Sequence, residues 1–255
     1  MRVVKIGGRA QADPQLASKI REAWEAGPGE LCIVHGGGDE ITAMQNVLGR
    51  EAAFVGGRRV TSESDLELLR MVLSGVVNKR IVNSLVTQGI AAVGISGEDS
   101  ALIGAEVIDF GLLGYAGRPA RIEPGIIRAL LVGGFLPVIS PVAYDVSSGT
   151  GGALNVNGDD AAASIAVSLN AAELLLIADV EGVRNEGGEI IANIDADSAR
   201  DLIHDGVATG GMAAKLESAH AALVEGVERV RISDLAGLAD TERGTLIIQA
   251  QGVAS

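Results

Sequence analysis

The order of apolar and amphipathic segments predicts an α/β fold, a three-layer αβα sandwich around a mainly parallel central sheet. Strand-like runs alternate with helical ones almost throughout the chain, which favours parallel pairing with helices on both faces. The runs at 31–35 and 136–140 are apolar at most positions, as strands buried on both sides are. Glycines follow directly where several of these strands should turn into helices.

Each element of this fold has its own local signal in the residue pattern. The first half contains a strand at 2–6, a helix at about 14–25, a strand at 31–35 with a helix after it, and an irregular hairpin at 54–60. The middle contains a strand at 90–96, a glycine-punctuated meander at 97–117, a helix at 124–132, a strand at 136–140 that Pro141 should end, and an exposed hairpin or flap at 144–154. The last part contains helices at 161–169, 195–204 and 212–225 and strands at 173–178, 229–232 and 245–248.

One long helix stands out between the hairpin and the middle of the chain. Ser62 and Asp65 form a capping-box pattern at its start, and the helix should continue to about Thr87. Gly75 lies inside it and costs about 1 kcal/mol relative to alanine, so we expect close backbone packing or a kink there. Its apolar positions include Leu66, Leu69, Val72 and Leu73.

Composition limits the classes of function. The 255 residues suffice for one large domain or two fused lobes. A net charge of −13 argues against a nucleic-acid partner, whose phosphates would be repelled. The single cysteine, Cys32, falls in a core strand, which excludes a disulfide framework within one chain. No apolar run approaches the length of a membrane span, so we expect a cytoplasmic protein.

Glycine turns paired with lysines predict an anion site. Three glycines follow His35, two glycines follow Lys5 after one intervening residue, and Lys215 lies about one turn into a helix that begins with glycines. Glycine lets a ligand lie against the main chain, where N–H groups can point at an anion. A single such turn is also common as a plain strand-to-helix connection. Its repetition with two lysines in an acidic chain favours a strongly anionic ligand.

Several familiar site patterns are missing from the sequence. It contains no P-loop, no G-x-G-x-x-G, no H-E-x-x-H, no G-x-S-x-G and no paired cysteines. His204 and His220 fall on amphipathic helices, where a solvated position is expected. We therefore predict no metal site built from protein side chains.

Six motifs occur in one order and together resemble the amino acid kinase family. They are Lys5-Ile6-Gly7-Gly8, His35-Gly36-Gly37-Gly38, Gly57-Arg58-Arg59-Val60-Thr61, Asn155-Val156-Asn157-Gly158-Asp159, Ala178-Asp179-Val180-Glu181-Gly182 and Gly211-Met212-Ala213-Ala214-Lys215. The resemblance runs from residue 1 to about 232. It implies a single domain over 1–255, with an amino-acid-binding and dimerisation lobe at about 1–153 and an ATP-binding lobe at about 154–255.

Within the family, the motifs are most similar to those of enzymes that phosphorylate the γ-carboxylate of N-acetyl-L-glutamate with ATP. The resemblance implies that Lys5 and Lys215 supply positive charge at the transferred phosphoryl group and that Asp159 holds both lysines in place. It also implies that Gly8, Gly36 and Gly37 offer backbone N–H groups to the phosphoryl group and the attacking carboxylate.

The resemblance also distributes the remaining residues between the two substrates. Arg59 should hold the α-carboxylate of the amino acid, with Arg58 as the competing candidate, because alternation along a strand turns one in and one out. Asn155 should bond the acetamido group, although it could equally be a turn residue. On the nucleotide side the resemblance points to Gly7, Asp179, Gly211 and Met212. Mg²⁺ should be held mainly by phosphate oxygens and water.

Other hypotheses stay open. The chain could act on an amino acid attached to an acidic carrier protein in lysine or arginine synthesis. It could be a uridylate, aspartate or glutamate 5-kinase, although Arg59 and the Asn155 motif fit these less well. It could be a catalytically silent amino-acid-binding regulator, against which the two lysines weigh. A homodimer through the 62–87 helix is expected, unless that helix only covers the sheet. The segment 233–245 is shorter than the resemblance implies for the rim on the nucleotide side.

Overall fold

The computed structural model describes residues 1–149 and 151–249. Its strands are β1 (Arg2–Ile6), β2 (Leu31–His35), β3 (Phe54–Val55), β4 (Arg58–Arg59), β5 (Ala92–Gly97), β6 (Ile103–Val107), β7 (Ala116–Ile122), β8 (Leu136–Asp145), β9 (Ala153–Val156), β10 (Glu173–Ile177), β11 (Asn193–Asp195), β12 (Arg229–Ser233) and β13 (Thr245–Ile248). Its α-helices are α1 (Leu16–Ala26), α2 (Gly38–Val47), α3 (Glu63–Leu69), α4 (Asn78–Thr87), α5 (Phe110–Leu113), α6 (Gly125–Val132), α7 (Gly158–Ser168), α8 (Ala196–His204) and α9 (Gly210–Val224).

The predicted α/β fold with a mainly parallel sheet is confirmed. One sheet runs in the order β11-β13-β12-β10-β1-β2-β8-β6-β7-β9, with β5 also paired to β8. The central strand β1 is parallel to β2 and to β10. Antiparallel pairs join β12 to β13, β6 to β7 and β8 to β9. Both halves of the chain thus contribute strands to one sheet.

The core lies around the central strands, which explains their nearly unbroken apolar sequence. All five residues of β2 and of β10 are buried, and Val3, Val4 and Ile6 of β1 have no exposed surface. Strands covered on both faces have no solvent side to receive polar residues. Across the described ranges, no helix is both long enough and apolar enough to cross a bilayer.

The long helix after the hairpin is present, with a change of type inside it. Ser62 and Asp65 form the predicted capping box. Between α3 and α4 the chain is a π-helix from Arg70 to Val77, which includes Gly75. A Cβ added at Gly75 would meet nothing within 4 Å, so close packing is not the reason for the glycine. The π-helix takes the place of the expected kink.

The prediction that Pro141 ends a strand was wrong, because β8 continues through it to Asp145. Ser140 pairs with Ser96, and the next pair is Ala143 with Gly97. The register shift leaves Pro141 at a bulge, where its missing N–H removes no ladder hydrogen bond. The hairpin that follows is confirmed, since β8 and β9 pair antiparallel around it.

Other differences concern short elements. The meander at 97–117 contains β6, α5 and only the first two residues of β7, which pairs antiparallel with β6. The strand β11 and a 3₁₀-helix at Leu235–Leu238 were not predicted. The helix α7 starts three residues before its predicted start, because the side chain of Asn157 caps it by accepting from the N–H of Asp159.

Candidate active site

The glycine turns lie side by side at the carboxyl ends of the central strands. Gly7 and Gly8 follow β1, and Gly36 follows the adjacent β2. Gly8 has a φ of +53°, a conformation that disfavours other residues, and a Cβ there would lie 3.1 Å from the carboxylate of Asp179. The carboxyl edge of a parallel sheet is where α/β proteins bind ligands.

One carboxylate joins the two predicted lysines. Lys5 Nζ on β1 lies 2.9 Å from Oδ1 of Asp159 in the first turn of α7. Lys215 Nζ on α9 donates a 3.0 Å hydrogen bond to Oδ2 of the same carboxylate. Residues 5, 159 and 215 thus meet because α7 and α9 place their side chains beside the end of β1. The side chains of Lys5 and Asp159 are only 9% and 6% exposed, so both charges are largely withdrawn from water.

The charges in this group set one another's protonation. Burial lowers the pKa of Lys5, and Asp159 offsets part of that effect. Burial alone would raise the pKa of Asp159, but the two ammonium groups outweigh it and hold that pKa below its usual value. At neutral pH the carboxylate is therefore ionised. Two ammonium groups around one carboxylate leave a net positive charge that an incoming anion can use.

A single cavity collects the residues predicted for the acceptor side. Its wall includes Lys5, Gly7, Gly8, Gly36, Gly37, Arg59, Asn155 and Asp159. These residues come from the ends of β1, β2, β4 and β9 and from the start of α7. The cavity therefore has lysine and backbone N–H groups near the strand ends and an arginine and an amide further along its wall.

Arg59 is fixed before any ligand arrives. Its Nη1 donates to Oε1 of Gln45 at 2.5 Å, and its Nη2 donates to the carbonyl oxygen of Gly38 at 3.0 Å and to Oγ1 of Thr42 at 2.8 Å. The ring of Phe54 lies 4.7 Å from the guanidinium carbon. The side chain thus presents a preorganised planar cation at the cavity wall.

The neighbouring arginine takes a different partner. Arg58 borders the same cavity, but its Nη1 lies 2.7 Å from Oδ2 of Asp160. Arg59 as a residue is 8% exposed, whereas the side chain of Arg58 is 31% exposed. The two arginines thus diverge, as alternation along a strand requires.

Asn155 reaches the cavity from β9. Its Nδ2 donates a 2.9 Å hydrogen bond to Oγ1 of Thr61, which has no exposed surface. Residue 155 pairs with Val142 across the sheet. It is therefore part of a strand, not of the turn, and its amide plane is oriented by a buried partner.

The sequence did not reveal what holds the second glycine turn. Nδ1 of His35 lies 2.8 Å from the carbonyl oxygen of Gly36, so this nitrogen must donate. Nε2 then accepts from Nδ2 of Asn78 at 3.1 Å. Burial lowers the pKa of His35 to about 4, which keeps the ring neutral. Asn78, fully buried at the start of α4, carries no sequence signal that distinguishes it from a surface asparagine.

The residues predicted for the nucleotide lie outside the acceptor cavity, except for Gly7. Asp179 borders a second cavity together with Lys19 and Asp234. Gly211 is exposed and Met212 half-buried in the first turn of α9. In the part of the chain that the structure describes, no three His, Cys, Asp or Glu side chains converge to hold a metal ion.

A buried arginine that the sequence analysis missed anchors the segment 233–245. Arg231 is 2% exposed. Its Nε donates to Glu173, and its terminal nitrogens donate to the carbonyl oxygens of Gly237, Asp240 and Arg243. Three of these four hydrogen bonds hold the short 233–245 segment against β12, and the fourth ties Arg231 to β10.

Known proteins share this arrangement over nearly the whole chain. Residues 1–234 match the model of the amino acid kinase family. The acetylglutamate kinase of Roseobacter denitrificans is 40% identical over 91% of this chain and 80% of its own length. That of Geobacillus kaustophilus is 39% identical over 90% and 88%. A solved structure from Streptococcus mutans superposes with a TM-score of 0.88, with 30% identity and 98% of both chains covered. The six motifs, the sheet that brings them together and these matches agree: the chain belongs to the amino acid kinase family.

Proposed function

We propose that this protein transfers the γ-phosphoryl group of ATP to the γ-carboxylate of N-acetyl-L-glutamate, giving N-acetylglutamyl 5-phosphate for arginine biosynthesis. One observation carries the proposal: two lysine ammonium groups flank one buried carboxylate, at 2.9 and 3.0 Å, beside a cavity with a preorganised arginine. The similarity to acetylglutamate kinases at about 40% identity supports the same substrate.

The chemistry needs positioning and positive charge, not a base. The nucleophile is a carboxylate that is already ionised, so no proton has to leave it. An oxygen of this carboxylate bonds to the γ-phosphorus as the bond from that phosphorus to the β–γ bridging oxygen breaks, and ADP leaves. Lys5 and Lys215 would offset the negative charge that two anions bring together, and N–H groups of Gly8, Gly36 and Gly37 would orient them.

The acceptor would be held by its other polar groups. Arg59 offers two donors in a plane, which suits an α-carboxylate better than a lysine would. The amide of Asn155 would contact the acetamido group and the edge of the α-carboxylate. Arg59 and Asn155 border the same cavity as Lys5. The γ-carboxylate would then point toward the lysine end.

ATP would approach from the side of Asp179 and the start of α9. Glycine leaves room for Lys5, because a side chain at Gly7 would collide with its ammonium and one at Gly158 would lie 3.2 Å from its Cε. Phosphates could then approach the lysine along bare main chain. We infer roles there for Gly7, Asp179, Gly211 and Met212. Mg²⁺ would accompany the nucleotide and neutralise its β- and γ-phosphates, held mostly by their oxygens and by water.

The free amino acid is the proposed acceptor. A carrier-linked substrate would bring an acidic protein to a chain of charge −13, and such partners repel unless a basic surface receives them. Near Lys215, α9 instead carries Glu217 and ends at its C-cap Glu225. Trapping the acyl phosphate with hydroxylamine tests this proposal. Product from ATP and free N-acetyl-L-glutamate supports it; product only with carrier-linked glutamate or aminoadipate would overturn it.

We also propose a homodimer through the 62–87 helix, in a protein of the cytoplasm with lobes dividing near residue 153. The apolar face that includes Leu66, Leu69 and Leu73 is buried within the chain, so that face covers the sheet. The dimer proposal depends instead on Met71, Val76 and Val86 of the same helix, which are exposed. Replacing Val76 with arginine should give a monomer in sedimentation velocity, and an unchanged assembly would exclude this face.

A further inference from the structure

A chain of three side chains ties the hairpin that carries Arg59 to the helix that carries Lys215. Arg58, next to Arg59 on β4, places Nη1 2.7 Å from Oδ2 of Asp160. The other oxygen of Asp160, Oδ1, accepts a 2.8 Å hydrogen bond from Oγ of Ser218. Each carboxylate oxygen thus has its own partner, and the two partners belong to distant parts of the sequence.

The ends of this chain lie next to the residues that handle the two substrates. Ser218 follows Lys215 by three residues on α9, so both lie on one face of the helix about one turn apart. Ser218 is 3% exposed, and its hydroxyl also lies 3.0 Å from the carbonyl oxygen of Ala214. Asp160 follows Asp159 in the first turn of α7. The three contacts therefore connect the hairpin to the helices that carry Asp159 and Lys215.

The hairpin needs an external anchor. It consists of two strands of two residues each, outside the main sheet, and an isolated two-stranded hairpin is marginal in water. The polar contacts of Arg59 run to residues 38, 42 and 45 in α2. The ion pair of Arg58 connects the same hairpin to α7 and, through Asp160, to α9. Its partner carboxylate is only 20% exposed, which limits screening by solvent and salt.

We propose that Arg58, Asp160 and Ser218 are positioning residues that couple the acceptor-binding hairpin to Lys215. An amino acid held by Arg59 fixes β4, and the contacts through Arg58, Asp160 and Ser218 then favour the placement of Lys215 at the phosphoryl group. By reciprocity, an ordered Lys215 helix favours the hairpin position that binds the amino acid. The substrates assigned to the hairpin and to Lys215 rest on the proposed function, whereas the coupling between these two segments does not depend on it.

Hydrogen exchange in the ligand-free protein tests the coupling without turnover. In Arg58→Met, peptides covering 54–60 and 210–216 should both exchange about threefold faster, because both ends lose the link. In Ser218→Ala both peptides should also change, because reciprocal coupling is lost wherever the link is broken. Arg58→Lys keeps a cation opposite Asp160 and should stay close to wild type. Arg118→Met is the matched control, because Arg118 lies near Arg58 and Asp160 but pairs with Glu106 at 3.5 Å. Neither peptide should change in this variant.

A change confined to 54–60 in Arg58→Met would overturn the proposal, since it would mean that the pair holds only the hairpin. Steady-state kinetics provide the second measurement. With N-acetyl-L-glutamate, Arg58→Met should raise KM for the amino acid and lower kcat by about threefold each, and Ser218→Ala should shift both constants in the same directions. Unchanged kinetics in both variants would also contradict the coupling. A wild-type protein inactive on N-acetyl-L-glutamate would refute the proposed function but leave the exchange result standing.

Discussion

The proposed acceptor side and the proposed nucleotide side of the site are built differently. On the acceptor side, the ends of β1, β2, β4 and β9 enclose one cavity, and Arg59, Asn155 and His35 are each fixed by buried partners. On the nucleotide side, Gly211 and Met212 lie in an open helix start, and the rim depends on one buried arginine. In the proposed arrangement, protein atoms already define where the acceptor goes, while the nucleotide meets mainly exposed main chain.

The largest effect is expected at the junction of the two sides. Lys5→Ala or Lys215→Ala should lower kcat by about 100-fold or more, because each removes a fixed charge from the transferred group. Circular dichroism should show an intact fold, and the hydroxamate assay gives the rate. Arg118→Ala serves as control, since its side chain is 65% exposed and pairs with Glu106 instead of with the lysine cluster. Wild-type kcat in either test variant would refute the assignment of the phosphoryl site.

The second prediction concerns the glycine turn of the acceptor side. His35 has a folded-state pKa of about 4 against a usual 6.5, a difference of roughly 3 kcal/mol. The unfolded chain takes up the proton first, so the histidine's contribution to stability is complete above pH 6.5. It declines as the pH falls toward 4.

Urea unfolding of wild type and His35→Gln between pH 7.5 and 4 measures this prediction. The free energy of unfolding should fall more steeply in the wild type over that range. His204→Gln should match the wild type, because the side chain of His204 is 89% exposed. Parallel curves for wild type and His35→Gln would show that the ring is not held neutral.

A smaller effect should separate the two substrates. Arg59→Lys should raise KM for the amino acid by about tenfold and leave KM for ATP nearly unchanged, because a lysine cannot grip a carboxylate with two parallel donors. Arg58→Lys should change little, since a lysine can still pair with Asp160. Initial-rate kinetics with each substrate varied in turn give both constants. The reverse pattern would mean that Arg58, not Arg59, faces the amino acid.

The smallest effect is expected on the nucleotide side. A Cβ at Gly211 would meet nothing within 4 Å, so Gly211→Ala should fold normally and raise KM for ATP by about threefold through closer contact with the ligand. Gly37→Ala is the comparison on the acceptor side: its Cβ would lie 2.6 Å from Cδ2 of Leu73. That variant should lose thermal stability. Equal melting temperatures for Gly37→Ala and Gly211→Ala would contradict the conclusion that the acceptor side is tightly packed and the nucleotide side is open.

The sequence predicted the sheet well because buried strands leave local signals, and the residues that it assigned to the acceptor border one cavity. Buried strands such as β2 and β10 are apolar throughout, and the turns at Gly8 and Gly36 directly follow strands. Assignment of Lys5, Asp159 and Lys215 to one cluster came from the motifs, and the structure brings them together. Their roles in catalysis stay predictions.

What the sequence could not predict depends on distances between elements. The pairing of Arg58 with Asp160 requires the hairpin to dock on α7, and no local pattern records docking. The contact of His35 with Asn78 joins residues 43 apart through the packing of α4 on the sheet. Pro141 misled the strand prediction because a bulge, which depends on the partner strand, makes a missing N–H harmless there.

The π-helix between α3 and α4 also sets the rotational phase of everything that follows it. A π turn takes up more residues than an α turn, whereas each residue of a regular α-helix rotates the chain by about 100°. Asn78, the first residue of α4, therefore faces His35 from an angle that an uninterrupted α-helix would not provide. Losing one residue from 70–77 would turn Asn78 away from the glycine loop while keeping both helices. The segment is thus sensitive to deletion even where it tolerates substitution.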